Sequence, residues 1–185
     1  DGHVQVYHGY LGNLGKKHVS RQKLCLPGMM DFWVNDCDGN PFFFVTGEVN
    51  DKLQQALERE LIPELLNIKN ITISEIDKNY KEPVFTIVFD REAYSLDFFA
   101  RLWNEYHIAV ITYNKNVKDQ WDESEFKKYT VETEYDFTEM RLSERQFEVN
   151  DVKMREVRKL NTSSHQTSII STNQILAINI LAKYM

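Results

Sequence analysis

Apolar positions dominate the first 112 residues in short β-prone runs and two helical stripes, whereas charged positions dominate residues 114 to 160. The densest apolar run is Val84-Phe-Thr-Ile-Val-Phe89, which stops on Asp90. Without alternation it reads as a strand covered on both faces, with Asp90 at its C-terminal tip, where open α/β sheets place their chemistry. Ser95 stands where a helix N-cap is needed, and Phe98, Phe99, Leu102, Trp103 and Tyr106 follow at helical spacing. Ile108 to Thr112 reads as a second buried strand. Strand, helix and strand joined this closely predict a parallel, right-handed βαβ unit.

Before this unit, residues 1 to 8 alternate, with Val4 and Val6 on one face and Asp1, His3, Gln5 and Tyr7 on the other. Gly12, Asn13 and Gly15 mark a loop that lacks the Gly-Lys-Ser/Thr of a phosphate cradle. A β-prone segment then runs from Val19 to Val34, broken near Pro27-Gly28, and Phe42 to Thr46 forms the next strand beyond a turn-rich stretch. Three strands joined by short turns suggest an antiparallel meander. Asp36, Asp38 and Asn40 hold oxygen ligands at alternate positions, but the loop closes at Pro41 without the glutamate of a calcium loop, and a hairpin turn is the favoured reading. Asn50 or Asp51 caps a helix with a Leu53, Ala56, Leu57 and Leu61 stripe, and Pro63 kinks or restarts it.

Within the charged region, Tyr129 to Thr133, Tyr135 to Phe137 and Gln146 to Val149 alternate as exposed antiparallel strands do. They predict an inserted β-rich subdomain at 114–160, between a core at 1–113 and its return at 161–185. In the return, Gln166 to Thr172 reads as a strand, Asn173 as an N-cap, and Ile175 to Met185 as a buried, apolar helix.

Composition narrows the function. With 185 residues, 42% of them hydrophobic and 12% aromatic, the chain can bury one sizeable core. A formal charge of −6 excludes a surface that is basic throughout, so any DNA contact must be local or carried by bound cations. Two cysteines, Cys25 and Cys37, fit neither a metal site nor a disulfide framework, and a reducing, cytoplasmic setting is expected. No apolar run reaches membrane-spanning length, so no membrane partner is expected. The chain reads as a piece of a longer protein.

Candidate chemistry follows from the layout. If the first strand lies beside the Val84 strand in a mixed sheet, Asp1 and Asp90 face each other across about 4.8 Å. Such a pair is relieved by a divalent cation, and oxygen-only ligands favour Mg²⁺ or Mn²⁺ in phosphodiester attack. Three basic groups flank this site: Lys16, Lys17, Arg21 and Lys23; Lys115 and Lys118; and Arg158, Lys159 and His165. They are candidates for DNA phosphates, against the alternative of a solvated surface. Tyr94 and Trp103 read as core.

Asp1-Gly-His3, Phe89-Asp-Arg-Glu-Ala-Tyr94, Ile108 to Asn116 and His165 to Asn173 together resemble the catalytic core of bacterial DDE transposases of the insertion-sequence type. The resemblance spans nearly the whole chain. It implies an α/β, ribonuclease H-like fold: a mixed five-stranded sheet flanked by helices, with an inserted β-rich subdomain before the last helix. It also implies two metal ions, Mg²⁺ or Mn²⁺, held by Asp1, Asp90 and a glutamate, and metal-dependent hydrolysis and strand transfer at transposon ends. Partners would be transposon-end and target DNA, and a homodimer in the DNA complex is allowed. The glutamate is expected on the final helix, yet no acid occurs from Gln174 to Met185. A transposase-derived, non-catalytic DNA- or protein-binding domain is the alternative.

Overall fold

A computed structural model describes residues 2–10, 12–77, 79, 81–115, 117–133, 136–163 and 165–185. It is a mixed α/β structure of two compact units, Asp1–Thr72 and Ile73–Met185. This division differs from boundaries at 113 and 160.

The first unit is built on β3 (Leu24–Asn35), which pairs antiparallel with β1 (Gly2–Val6), β2 (Lys16–Val19) and β4 (Pro41–Glu48). The three expected strands thus form the antiparallel meander β1-β3-β4, and the short β2 is an additional strand on β3. No break occurs at Pro27-Gly28. The Pro27 carbonyl accepts the Tyr7 N–H at 2.9 Å, so the proline keeps one ladder bond to the end of β1 although it has no N–H to return. Gly28 is needed there because a Cβ would stand 2.3 Å from the Gln5 carbonyl oxygen. Between β3 and β4, Asp36 Oδ1 accepts the N–H groups of Asp38 and Asn40, and Gly39 takes φ 85°, which makes this loop the expected hairpin turn. The amide of Asn40, above all, holds the Asp36 carboxyl below its ordinary range.

The helical segment after β4 begins as α1 (Leu53–Ala56), widens to a π turn over Leu57–Leu61 and resumes as α2 (Ile62–Ile68). Pro63 explains the disturbance. It has no N–H for the Arg59 carbonyl, and the preceding Ile62 N–H reaches five residues back to Leu57. Neither Asn50 nor Asp51 is the N-cap: Lys52 occupies that place, and Asp51 instead accepts from the Glu48 amide at 3.0 Å and Arg59 at 2.9 Å.

The second unit carries a six-stranded mixed sheet in the order β5-β6-β10-β9-β8-β7. Its strands are β5 (Thr86–Phe89), β6 (Ala109–Tyr113), β7 (Lys127–Glu132), β8 (Phe137–Val149), β9 (Val152–Leu160) and β10 (Gln166–Thr172). Only β5 and β6 are parallel, joined by α3 (Leu96–Tyr106) as expected. Ser95 caps α3 by accepting the Phe98 N–H at 3.3 Å. The antiparallel strands expected in the charged region are β7, β8 and β9, although Tyr135 lies outside the described residues. Because β9 pairs with β10, they extend the same sheet. A two-residue turn at Asn150 and Asp151, both with positive φ, links β8 to β9 in the geometry hairpins prefer.

One face of this sheet holds Ile111, Val131, Leu142, Val157 and Ile170 against Ile178, Leu181 and Ala182. The final apolar segment is buried only at Ile178, Leu181 and Ala182, while Ile175, Ile180 and Tyr184 are exposed, and it forms only α4 (Ile178–Leu181) and one 3₁₀ turn. An apolar pattern without a polar face does not fix helix length. Since α4 is short and packs by β7, Val88 stays exposed on β5 beside Ile111, and β5 is not covered on both faces.

Asn173 does not cap α4. Its Oδ1 accepts the Val110 N–H at 2.7 Å and its Nδ2 reaches the Ile108 carbonyl at 3.5 Å, so it prolongs the β10 ladder with a side-chain amide. Asn173→Ala strands the buried Val110 N–H and should cost about 1–3 kcal/mol of stability. Denaturant unfolding measures this, and an unchanged midpoint would sink the role assigned to Asn173.

Candidate functional site

Asp1 lies outside the described residues. Its neighbouring strand, β1, is hydrogen-bonded to β3, whereas β5, which leads to Asp90, is hydrogen-bonded to β6 in the other sheet. The expected single five-stranded sheet with adjacent Asp1 and Asp90 strands is therefore replaced by sheets of four and six strands. β3, with partners on both edges, competes successfully for β1.

Asp90 does sit at the tip of β5, exposed, and its carboxylate accepts the Glu92 N–H at 2.8 Å to cap a 3₁₀ turn over Arg91–Ala93. Its carbonyl accepts the Thr112 hydroxyl at 3.1 Å. Among the described residues, no three of His, Cys, Asp and Glu come together in a group fit to hold a metal ion. The described residues by themselves therefore do not fit a metal pair.

Arg158 stands in a different environment from the expected DNA-facing surface. Its side chain is 2% exposed, and the guanidinium spends its donors inside the protein. Nε donates to Glu156 at 2.7 Å, Nη1 to the Asp119 carbonyl and to Gln166 Oε1 at 2.8 Å each, and Nη2 to both Asp119 carboxylate oxygens at 3.0 Å. The Trp121 ring lies over the guanidinium carbon at 4.1 Å, with Arg145 over the same ring at 4.5 Å. Gln166 completes the clamp by accepting the Trp121 N–H and donating to its carbonyl. No spacing rule points to this network, because Asp119 and Arg158 are 39 positions apart. Only the length of β9 and its pairing with β10 bring the parts together.

The other cations remain on the surface. Lys16 and Arg21 are exposed, Lys17 is half-buried, and all three belong to the β2–β3 hairpin together with Lys23 at φ 54°. In the second unit Lys115, Lys118 and His165 are exposed, and Lys159 is half-buried opposite Thr167. His165 closes the β9–β10 turn by donating its N–H to Asn161 Oδ1 at 2.9 Å. Tyr94 and Trp103, expected in the core, are half-buried and pack against Phe99 and His107 respectively. Burial pushes the Tyr94 phenol up.

The aromatic face of the first unit escaped the sequence reading. Trp33 and Phe44 are directly opposed on β3 and β4, with ring centroids 4.7 Å apart. The signal was the alternation of Met29, Asp31 and Trp33 against Met30, Phe32 and Val34, which shows itself once β3 is known to be continuous.

Hydrogen bonds from Arg158 hold the Asp119 carboxyl below its ordinary range, and Arg145 does the same for Glu125. A depressed carboxyl stabilises the fold at pH values above the unfolded carboxylate range, and that contribution is lost as pH falls through the lowered folded value. The Asp119 carboxylate is largely exposed and that of Glu125 partly so, and the acid-side loss is modest. Arg158→Ala leaves Glu156 and the Trp121 clamp without their cation and should cost about 3–5 kcal/mol. Thermal melts of wild type and variant at neutral and acid pH should show a lower melting temperature and a shallower acid decline in the variant. Equal melting at both pH values would refute the network's role.

No helix among the described residues is long and apolar enough to cross a membrane. No curated protein and no solved structure matches the chain. A family described as transposase protein does match, over residues 1–185. With every residue inside that match, the chain belongs to the transposase protein family.

Proposed function

We propose that this chain makes DNA contacts within a transposase, and that they run through the β2–β3 hairpin. One observation carries the reading: from Gly2 to Met30 there is no Asp or Glu, while Lys16, Lys17, Arg21, Lys23 and three of the five histidines fall in that stretch. All 28 acids of a chain with net charge −6 lie outside it. Phosphate binding needs such a local positive field, and an antiparallel two-stranded ribbon fits a DNA groove. The four-residue turn from Ser20 to Lys23 closes on the Val19 carbonyl, which accepts from Gln22 and Lys23, so the hairpin presents Arg21 on a fixed support. Transposon-end and target DNA are the partners, with Lys115, Lys118, Lys159 and His165 as further phosphate candidates.

Replacing exposed Lys16 and Arg21 by Ala should weaken DNA binding at low salt and reduce the slope of log K against log salt by about 0.9 for each lost phosphate contact. Titration of duplex DNA across a salt series reads both quantities. An unchanged slope would count against the hairpin.

A second reading, metal-dependent phosphodiester hydrolysis and strand transfer by a ribonuclease H-like core holding Mg²⁺ or Mn²⁺ through Asp1 and Asp90, is supported by one feature. Asp90 is exposed at the tip of β5 in a parallel β5–α3–β6 unit, the position where α/β sheets place chemistry. Asn at this position retains an oxygen for the Glu92 amide, so Asp90→Asn should fold normally and still bind DNA while losing cleavage of transposon-end DNA in Mn²⁺. Cleavage at the wild-type rate removes Asp90 from the chemistry and leaves the DNA-contact reading standing.

A further inference from the structure

We infer that the exposed face of the four-stranded sheet binds unpaired DNA, stacking bases on Trp33 and Phe44 while the β2–β3 hairpin holds the phosphates. This rests on the DNA-contact reading above and extends it to a substrate class, the single strand.

The face is defined by register. Residues opposed in a ladder point to the same side, so Trp33 shares its face with Phe44, Asp31 with Thr46 and His3, and Met29 with Gln5 and Glu48. Further along β3, Lys16 is opposed to Pro27 and His18 to Cys25, which puts these two basic side chains on that same face. The alternate residues Met30 and Phe32 are buried on the other side. Apolar side chains therefore do not all serve the core: Trp33 is 40%, Phe42 47% and Phe44 50% exposed. Trp33 and Phe44 stack at 4.7 Å with an interplanar angle of 27° and make one continuous platform.

Charge chooses the occupant. From Trp33 to Pro27 is six residues, about 20 Å at roughly 3.3 Å per residue, so the rings and the cations lie along one line within reach of a short strand. Of the two carboxylates that the described residues place on this face, Asp31 is buried and accepts the Thr46 hydroxyl at 2.7 Å, which leaves Glu48 as the exposed one. An acidic partner is therefore favoured by the hairpin and opposed, among the described residues, at Glu48. Duplex DNA offers the platform nothing, because its bases are stacked on each other and show only their edges. An unpaired strand offers ring faces to the aromatics and phosphates to the lysines, which is the combination that binds single strands without sequence preference.

The test compares oligo-dT and a duplex of equal length by fluorescence anisotropy on the whole chain, with circular dichroism as the folding control. Trp33→Leu with Phe44→Leu should weaken oligo-dT binding about tenfold or more and leave duplex binding unchanged. Glu48→Gln should tighten oligo-dT binding. Oligo-dT should quench tryptophan emission, and Trp33→Phe, a milder change that keeps a ring in place, should remove most of the quenching while affinity is retained. If Lys16 and Arg21 variants lose DNA but the aromatic variants bind oligo-dT like wild type, the inference is overturned, the DNA-contact reading survives, and the face falls to a protein partner. If neither set affects binding, both readings fail. Quenching that persists fully in Trp33→Phe also overturns the assignment.

Discussion

Taking a guanidinium out of water inside the second unit is the constraint that its outer half obeys. Desolvation of a cation costs several kcal/mol, and the cost is offset only when every N–H finds an acceptor with good geometry. Arg158 meets that condition through Glu156 on its own strand, Gln166 on β10 and Asp119 in the segment that precedes β7. The consequence is topological. The segment that leads from β6 toward β7 is fixed against β9 and β10 at Asp119 and Trp121, and Trp121 then packs with Phe126 and Leu160 as a small satellite core. A hydrophobic residue at 158 would fill the space but give the segment no direction.

Legibility in the sequence followed the range of the interactions. The β5–α3–β6 unit was readable because its determinants are local: an apolar run, a capping serine and helical spacing. The placement of the first strand beside the Val84 strand was not, because pairing is decided by residues distant in the chain: β1 pairs with β3, and β5 pairs with β6 in another sheet. Asn173 was misread since one side-chain amide serves a helix end or a strand ladder equally well, and only the position of Val110 distinguishes them. In the site, the basic hairpin was visible as charge, whereas Arg158 was taken for a surface cation because a letter carries no depth. Asp90 lies where the sequence placed it, and its carboxylate has an ordinary capping task there.

Family membership and local geometry answer different questions. The match over the full chain identifies a transposase protein, while the charge pattern shows that a chain acidic overall keeps one ribbon free of acids. Concentrating cations on one ribbon and excluding acids from it confines a positive field to a small area instead of spreading it over a uniformly basic surface.

The six-stranded sheet ends in two dissimilar edges. The β7 edge spans six residues and begins with Lys127 and Lys128, of which the second pairs with Glu139 at 2.7 Å. Lysines on an outer strand make it a poor template for a foreign strand, because a second chain must bring like charges together. β5 lacks that guard: its four residues Thr-Ile-Val-Phe carry no charge, and Val88 is exposed. Shortness alone limits what can add there. Self-association or aggregation through sheet extension is thus directed to the β5 side, beside the loop that carries Asp90.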